Sequence, residues 1–139
     1  MTDILVAGVS MLKFGRYPDR TVAELGGQAA LEALDDCGLT IGQVQALYCG
    51  NLFQAGGMVG QRVLQQIGQT GIPVVNVANA CATGATAFRE AWLAIRSGEY
   101  DIVLAVGVEQ MGRGLLGSPP QAGPQLEGLL GSSTMPAIF

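Results

Sequence analysis

Residues 75–84 read Val75-Asn76-Val77-Ala78-Asn79-Ala80-Cys81-Ala82-Thr83-Gly84, an apolar strand-like run that hands over to a helix-like run. The strand expected from this stretch covers residues 74–77, entered through the turn Gly71-Ile72-Pro73. The helix expected after it covers residues 83–96, with Phe88, Ala91, Trp92 and Ile95 on its apolar face and Ser97-Gly98 ending it. Cys81 stands at the junction. A cysteine there faces the N–H groups of a nascent helix, and the positive end of the helix dipole favours thiolate over thiol. Thiolate attacks carbonyl carbon, so this placement is one way to build a nucleophile for acyl transfer. The competing reading is a buried structural cysteine, because free cysteine is among the most buried residue types.

Working outward, the same alternation repeats. Residues 4–9 read as a buried strand, and Thr21-Val22-Ala23-Glu24 has the spacing of a capping box. Apolar residues at Val22, Leu25, Ala29, Ala30, Ala33, Leu34 and Cys37 then form a helical stripe that Gly38 stops. Residues 46–50 read as a short strand, and residues 58–67 as a helix with Val59, Val63, Leu64 and Ile67 on one face. Residues 102–108 are the most hydrophobic run and read as a strand covered on both faces. Alternating strands and helices point to an α/β layered fold with a mainly parallel sheet flanked by helices. The α/β unit is assigned to residues 1–111. Residues 112–139 recur in Gly and Pro without periodicity and read as loop or linker.

Composition narrows the function. The chain has 139 residues, 49% apolar and only 13% charged, which suits a buried parallel sheet or an apolar face that a partner covers. A net charge of −4 with few Lys and Arg speaks against a nucleic-acid or anionic-membrane surface. No apolar run approaches the length of a membrane span, and the N-terminus lacks a signal-peptide pattern. Three cysteines at unpatterned spacing argue against a disulfide framework and for a reducing, cytoplasmic setting. With no histidine and no ligand spacing among the cysteines, no metal site is expected.

The stretch around Cys81 resembles the nucleophile region of the thiolase superfamily. That family carries Asn, a short spacer, Cys, a small residue, Ser or Thr, Gly and a helix, then a strand ending in Gly-x-Glu-x-Met. Here these are Asn79-Ala80-Cys81-Ala82-Thr83-Gly84 and Gly107-Val108-Glu109-Gln110-Met111. The sequences VSMLKFG (9–15), GIPVVNV (71–77) and EQMGRGLLGS (109–118) make the chain most similar to the N-terminal half of a sterol-carrier-protein-type thiolase, an acetyl-CoA acetyltransferase-like enzyme.

The resemblance implies an acyl-CoA acyltransferase of lipid metabolism with coenzyme A as substrate and no cofactor. Cys81 would be the acyl-accepting nucleophile, its backbone N–H an oxyanion donor, and Asn79, Thr83, Gly84, Glu109 and Met111 supports of the site. It implies a homodimer paired along strand 74–77, and makes residues 112–139 the start of the loop insertion that covers the active site. The family's histidine base and second cysteine belong to the other half of the fold, so the segment alone is expected not to turn over unless a partner subunit supplies them. The alternatives are a non-catalytic thiolase-like subunit or scaffold, and a thiolase-fold acyl-CoA aldolase.

Other candidates are weighed on position. Cys37 lies on a helical stripe and suits core packing. Cys49, at a strand end before Gly50-Asn51, suits the core too, although ligands gather at such strand ends. Glu109 is by type a possible general base, but an acid after a buried strand more often caps or pairs locally. Gly84 and Gly107 suit close backbone approach, and the glycine-rich residues 50–57 match neither a P-loop nor a dinucleotide fingerprint.

Overall fold

The computed structural model describes residues 3–111. Helix α1 covers Val22–Asp36, strand β1 Ala46–Gly50, helix α2 Val59–Ile67, strand β2 Val74–Val77, helix α3 Thr83–Arg96 and strand β3 Val103–Gly107, with short 3-10 turns at Ile41–Gln43, Ala55–Gly57 and Ala80–Ala82. The strands form a sheet in the order β2-β1-β3, both pairings parallel. The α/β layered fold with a parallel sheet flanked by helices is therefore present. The expected loop insertion at 112–139 lies outside the described residues.

Local chemistry explains why α1 starts where it does. The Thr21 hydroxyl accepts from the Glu24 N–H at 3.2 Å, and the Glu24 carboxylate accepts from the Thr21 N–H at 2.6 Å. The Thr21 N–H first, and then the Thr21 hydroxyl, which also donates to the Glu24 carboxylate at 2.8 Å, hold the Glu24 carboxyl below its usual range. Such caps contribute about 1 kcal/mol. At the other end Gly38 takes a left-handed φ of 69°, which ends the helix.

The sheet divides two cores. On one face α1 and α2 pack Val22, Ala30, Leu34, Val59, Val63 and Ile67 against Leu47, Cys49, Leu104 and Val106. On the other face α3 packs Ala87, Ala91 and Ala94 against Ala46 and Tyr48.

The structure corrects three expectations. Residues 4–9 form no strand, so three strands are present among the described residues instead of four. The segment runs along α1, with the Val9 N–H donating to the Asp36 carboxylate at 2.9 Å and the Ser10 hydroxyl to the Ala29 carbonyl at 2.8 Å. Leu5 is 82% exposed, and Val6 and Val9 are exposed as well. Hydrophobic composition was the basis for a strand there, but the segment's hydrogen bonds go to a helix surface and not to a ladder.

The apolar face of α3 is also rotated from expectation. Its buried residues are Thr83, Ala87, Ala91 and Ala94, whereas Phe88 is 54% exposed and Trp92 and Ile95 are half-buried. Alanine lets the helix approach the sheet closely, and the larger side chains are displaced to its flanks. Strand β3, expected to be covered on both faces, buries Leu104 and Val106 on the two-helix side but leaves Ala105 and Gly107 exposed on the other. One helix does not cover that whole face.

Candidate active site

Parallel register brings the strand ends abreast. Gly50 pairs with Val77 on one side and with Gly107 on the other, so the segments after all three strands leave from the same edge of the sheet. Carboxyl ends of parallel strands are where α/β folds gather ligands. Two of those three segments carry residues the sequence singled out.

The segment after β2 is a tight turn. Asn79 has φ −148° and ψ 57°, outside the extended region, and Ala80 has a left-handed φ of 44° although it carries a Cβ. Such a conformation costs about 1–2 kcal/mol for a non-glycine residue. The buried Thr83 hydroxyl spans the turn, accepting from the Asn79 N–H at 2.8 Å and donating to the Ala80 carbonyl at 2.7 Å. The Asn79 amide donates to the Thr86 hydroxyl at 3.0 Å, which in turn donates to the Ala82 carbonyl at 2.9 Å. Cys81 lies in the middle of this turn and is exposed. It belongs to the 3-10 turn Ala80–Ala82 that leads into α3, so its N–H is among the first-turn donors of a helical segment.

The segment after β3 ties down the one after β1. Glu109 accepts from the Leu52 N–H at 2.8 Å and the Phe53 N–H at 3.1 Å, and from the Asn51 amide at 3.1 Å. Asn51 is 4% exposed; its amide also donates to the Val108 carbonyl at 2.8 Å, and its carbonyl oxygen accepts from the Gln54 N–H at 2.8 Å. Gln110 extends the knot by donating to the Tyr17 and Arg20 carbonyls. Glu109 is thus engaged with the backbone amides of a segment distant in the chain, where its position suggested local capping or pairing. Met111 is exposed at the end of the described residues. The close approach expected of Gly84 and Gly107 is present: a Cβ on Gly107 would stand 3.3 Å from the Gly84 Cα.

Asn51 and Thr86 were not recognised from the sequence. A polar residue directly after a fully buried strand, and a threonine three residues beyond Thr83, are the signals that could have found them. Among the described residues no cluster of His, Cys, Asp or Glu could hold a metal ion, and no helix is long and apolar enough to cross a membrane.

The other two cysteines differ from Cys81. Cys49 is fully buried, and desolvation pushes its thiol from 9.0 up to about 12. Cys37 is half-buried at the end of α1, its thiol donating to the Ala33 and Leu34 carbonyls, a looser setting than the core expected for it.

The sequence model of the thiolase N-terminal domain matches residues 4–125. The chain belongs to the thiolase family. Among its thiolase relatives, an acetyl-CoA acetyltransferase of Methanothermobacter thermautotrophicus is 38% identical over 116 residues, 80% of this chain and 30% of that protein. A non-specific lipid-transfer protein-like 2 of Caenorhabditis elegans is 39% identical over 116 residues, 81% of this chain and 28% of that protein. The chain therefore spans less than a third of the length of these relatives. Among solved structures, a thiolase of Ascaris suum in complex with coenzyme A superposes with a TM-score of 0.55 at 22% identity, covering 77% of this chain and 31% of that one. That likeness is one of fold.

Iodoacetamide should label Cys81 first, Cys37 slowly and Cys49 last in the folded protein, with peptide mass as readout. Equal labelling of all three would contradict the burial described. Burial of Cys49 also makes stability pH-dependent. Above pH 9.0 the unfolded chain releases the Cys49 proton while the folded chain keeps it until about 12, so this contribution is lost as pH rises through that window.

Proposed function

We propose that the chain is the nucleophile-bearing part of an acyl-CoA acyltransferase in which Cys81 accepts the acyl group. One observation carries the reading: of three cysteines only Cys81 is exposed, and it sits in a first helical turn at the carboxyl edge of the parallel sheet. Membership of the thiolase family supports it, as does the similarity to proteins named acetyl-CoA acetyltransferase.

In this reading the Cys81 thiolate attacks the thioester carbonyl carbon. The carbonyl π pair moves to oxygen, and the oxyanion accepts a hydrogen bond from the Cys81 N–H, with further donors from outside the described residues. Collapse of the tetrahedral intermediate breaks the bond to the coenzyme A sulfur and leaves a thioester on Cys81. The departing thiolate takes a proton, and a second acceptor, coenzyme A or a carbanion, later removes the acyl group. Asn79 and Thr83 hold the turn, Gly84 admits close approach, and Glu109 and Met111 lie on the segment that leaves β3 at the same edge of the sheet. The 139 residues hold no histidine, so a histidine base of the family's kind has no counterpart among them.

A second copy of the chain pairs along β2 in this proposal. That strand is at the sheet's edge in the described residues and begins just after Pro73, and its open backbone groups suit an isologous contact.

Incubation with acetyl-CoA followed by peptide mass mapping should place an acetyl group on Cys81, absent in Cys81→Ala. An acetyl group on Cys37 and none on Cys81 would overturn the assignment, and none on any cysteine would favour a non-catalytic scaffold. Sedimentation of the same material should show a dimer at micromolar concentration; a monodisperse monomer would refute pairing along β2.

A further inference from the structure

Two glycines that face each other across β1 and β3 carry an inference beyond the family reading. Gly50 and Gly107 are register partners at the carboxyl ends of those strands, and α3 begins directly over them. A Cβ built on Gly50 would lie 2.8 Å from the Thr83 carbonyl oxygen, 2.9 Å from its Cγ2 and 3.1 Å from its carbonyl carbon. A Cβ on Gly107 would meet the Gly84 Cα at 3.3 Å. Neither glycine has the positive φ that Gly38, Gly68, Gly71 and Gly98 adopt. Their lack of a side chain therefore serves space and not backbone conformation.

The contacted atoms matter. At Gly50 two of the three are backbone, and at Gly107 the one contact is backbone, so no rotamer change relieves a clash there. The crowded glycines of α1 differ: Gly27 would meet the Gln66 side chain at 2.8 Å and Gly26 the Val63 side chain at 2.8 Å, both at the packing of α1 on α2. Thr83 is also the residue whose hydroxyl holds the Asn79 N–H and the Ala80 carbonyl. Pushing Thr83 away from the sheet pulls on the turn that presents Cys81.

We propose that Gly50, with Gly107 beside it, is a positioning residue that sets how closely the Cys81 turn sits on the end of the sheet. The importance of that distance for catalysis rests on the reading of Cys81 as nucleophile. The distance itself does not.

The test compares Gly50→Ala, Gly107→Ala and the control Gly27→Ala. The second-order rate of Cys81 alkylation by iodoacetamide is followed at neutral pH in the folded proteins, with Cys49 labelling as an internal monitor of unfolding and urea midpoints for stability. Gly50→Ala should slow Cys81 alkylation on the order of tenfold while Cys49 stays protected, because displacement of Thr83 moves the turn that presents the sulfur. Gly107→Ala should act in the same direction more weakly. Gly27→Ala should lower the urea midpoint and leave the Cys81 rate unchanged. A wild-type Cys81 rate in Gly50→Ala would overturn the proposal, as would an equal slowing in Gly27→Ala. Should Gly50→Ala not fold, Gly107→Ala decides by the same two criteria. Alkylation needs no acyl-CoA, so a slowed rate without any acetyl adduct on Cys81 would retire the acyl-transfer reading and keep the positioning one.

Discussion

Thr83 occupies the point where the chain passes from sheet to helix, and its one hydroxyl satisfies two backbone groups of the turn before it. Without those bonds a left-handed alanine followed by an exposed cysteine would be an unfavourable local arrangement. With them, the turn is fixed to the first residue of α3, and α3 is fixed to the sheet by close packing of its alanine face. The position of the exposed Cys81 sulfur is thereby tied to the second core rather than left to a free loop. The first core, between the sheet and the pair α1 and α2, supports it from the opposite face.

The same edge of the sheet is organised twice over, by different means. After β2 the chain is held by short-range hydroxyl and amide contacts. After β1 it is held at long range, because a carboxylate from beyond β3 accepts the backbone N–H groups of Leu52 and Phe53. The Glu109 carboxylate thereby braces the segment after β1.

Much of this was legible in the sequence where the governing forces are local. The Thr21 capping box, the Gly38 stop, strands 46–50 and 74–77 and the bounds of α3 follow from neighbouring residues, and the structure has them. The turn at Cys81 was legible as a junction because strand and helix patterns meet there. Partners distant in the chain were not. Glu109 meets residues 56 and 57 positions away, and nothing near it in sequence announces Asn51. Residues 4–9 failed in the opposite sense: their hydrophobicity is real, but no ladder receives them among the described residues. The buried face of α3 does not follow from apolar size, because close approach to a sheet selects alanines over the large side chains.

In the proposed reading the Thr83 hydroxyl, through the turn it holds, presents Cys81 for attack. Thr83→Val keeps the shape and removes both hydrogen bonds, while Thr83→Ser keeps the hydroxyl and removes a methyl group. The most direct measurement is the rate of acetyl transfer from acetyl-CoA to Cys81 in these two variants, read by peptide mass. Transfer should fall on the order of tenfold or more in Thr83→Val and stay near wild type in Thr83→Ser, in keeping with the loss of buried hydrogen bonds. Equal rates in the two variants would contradict the account.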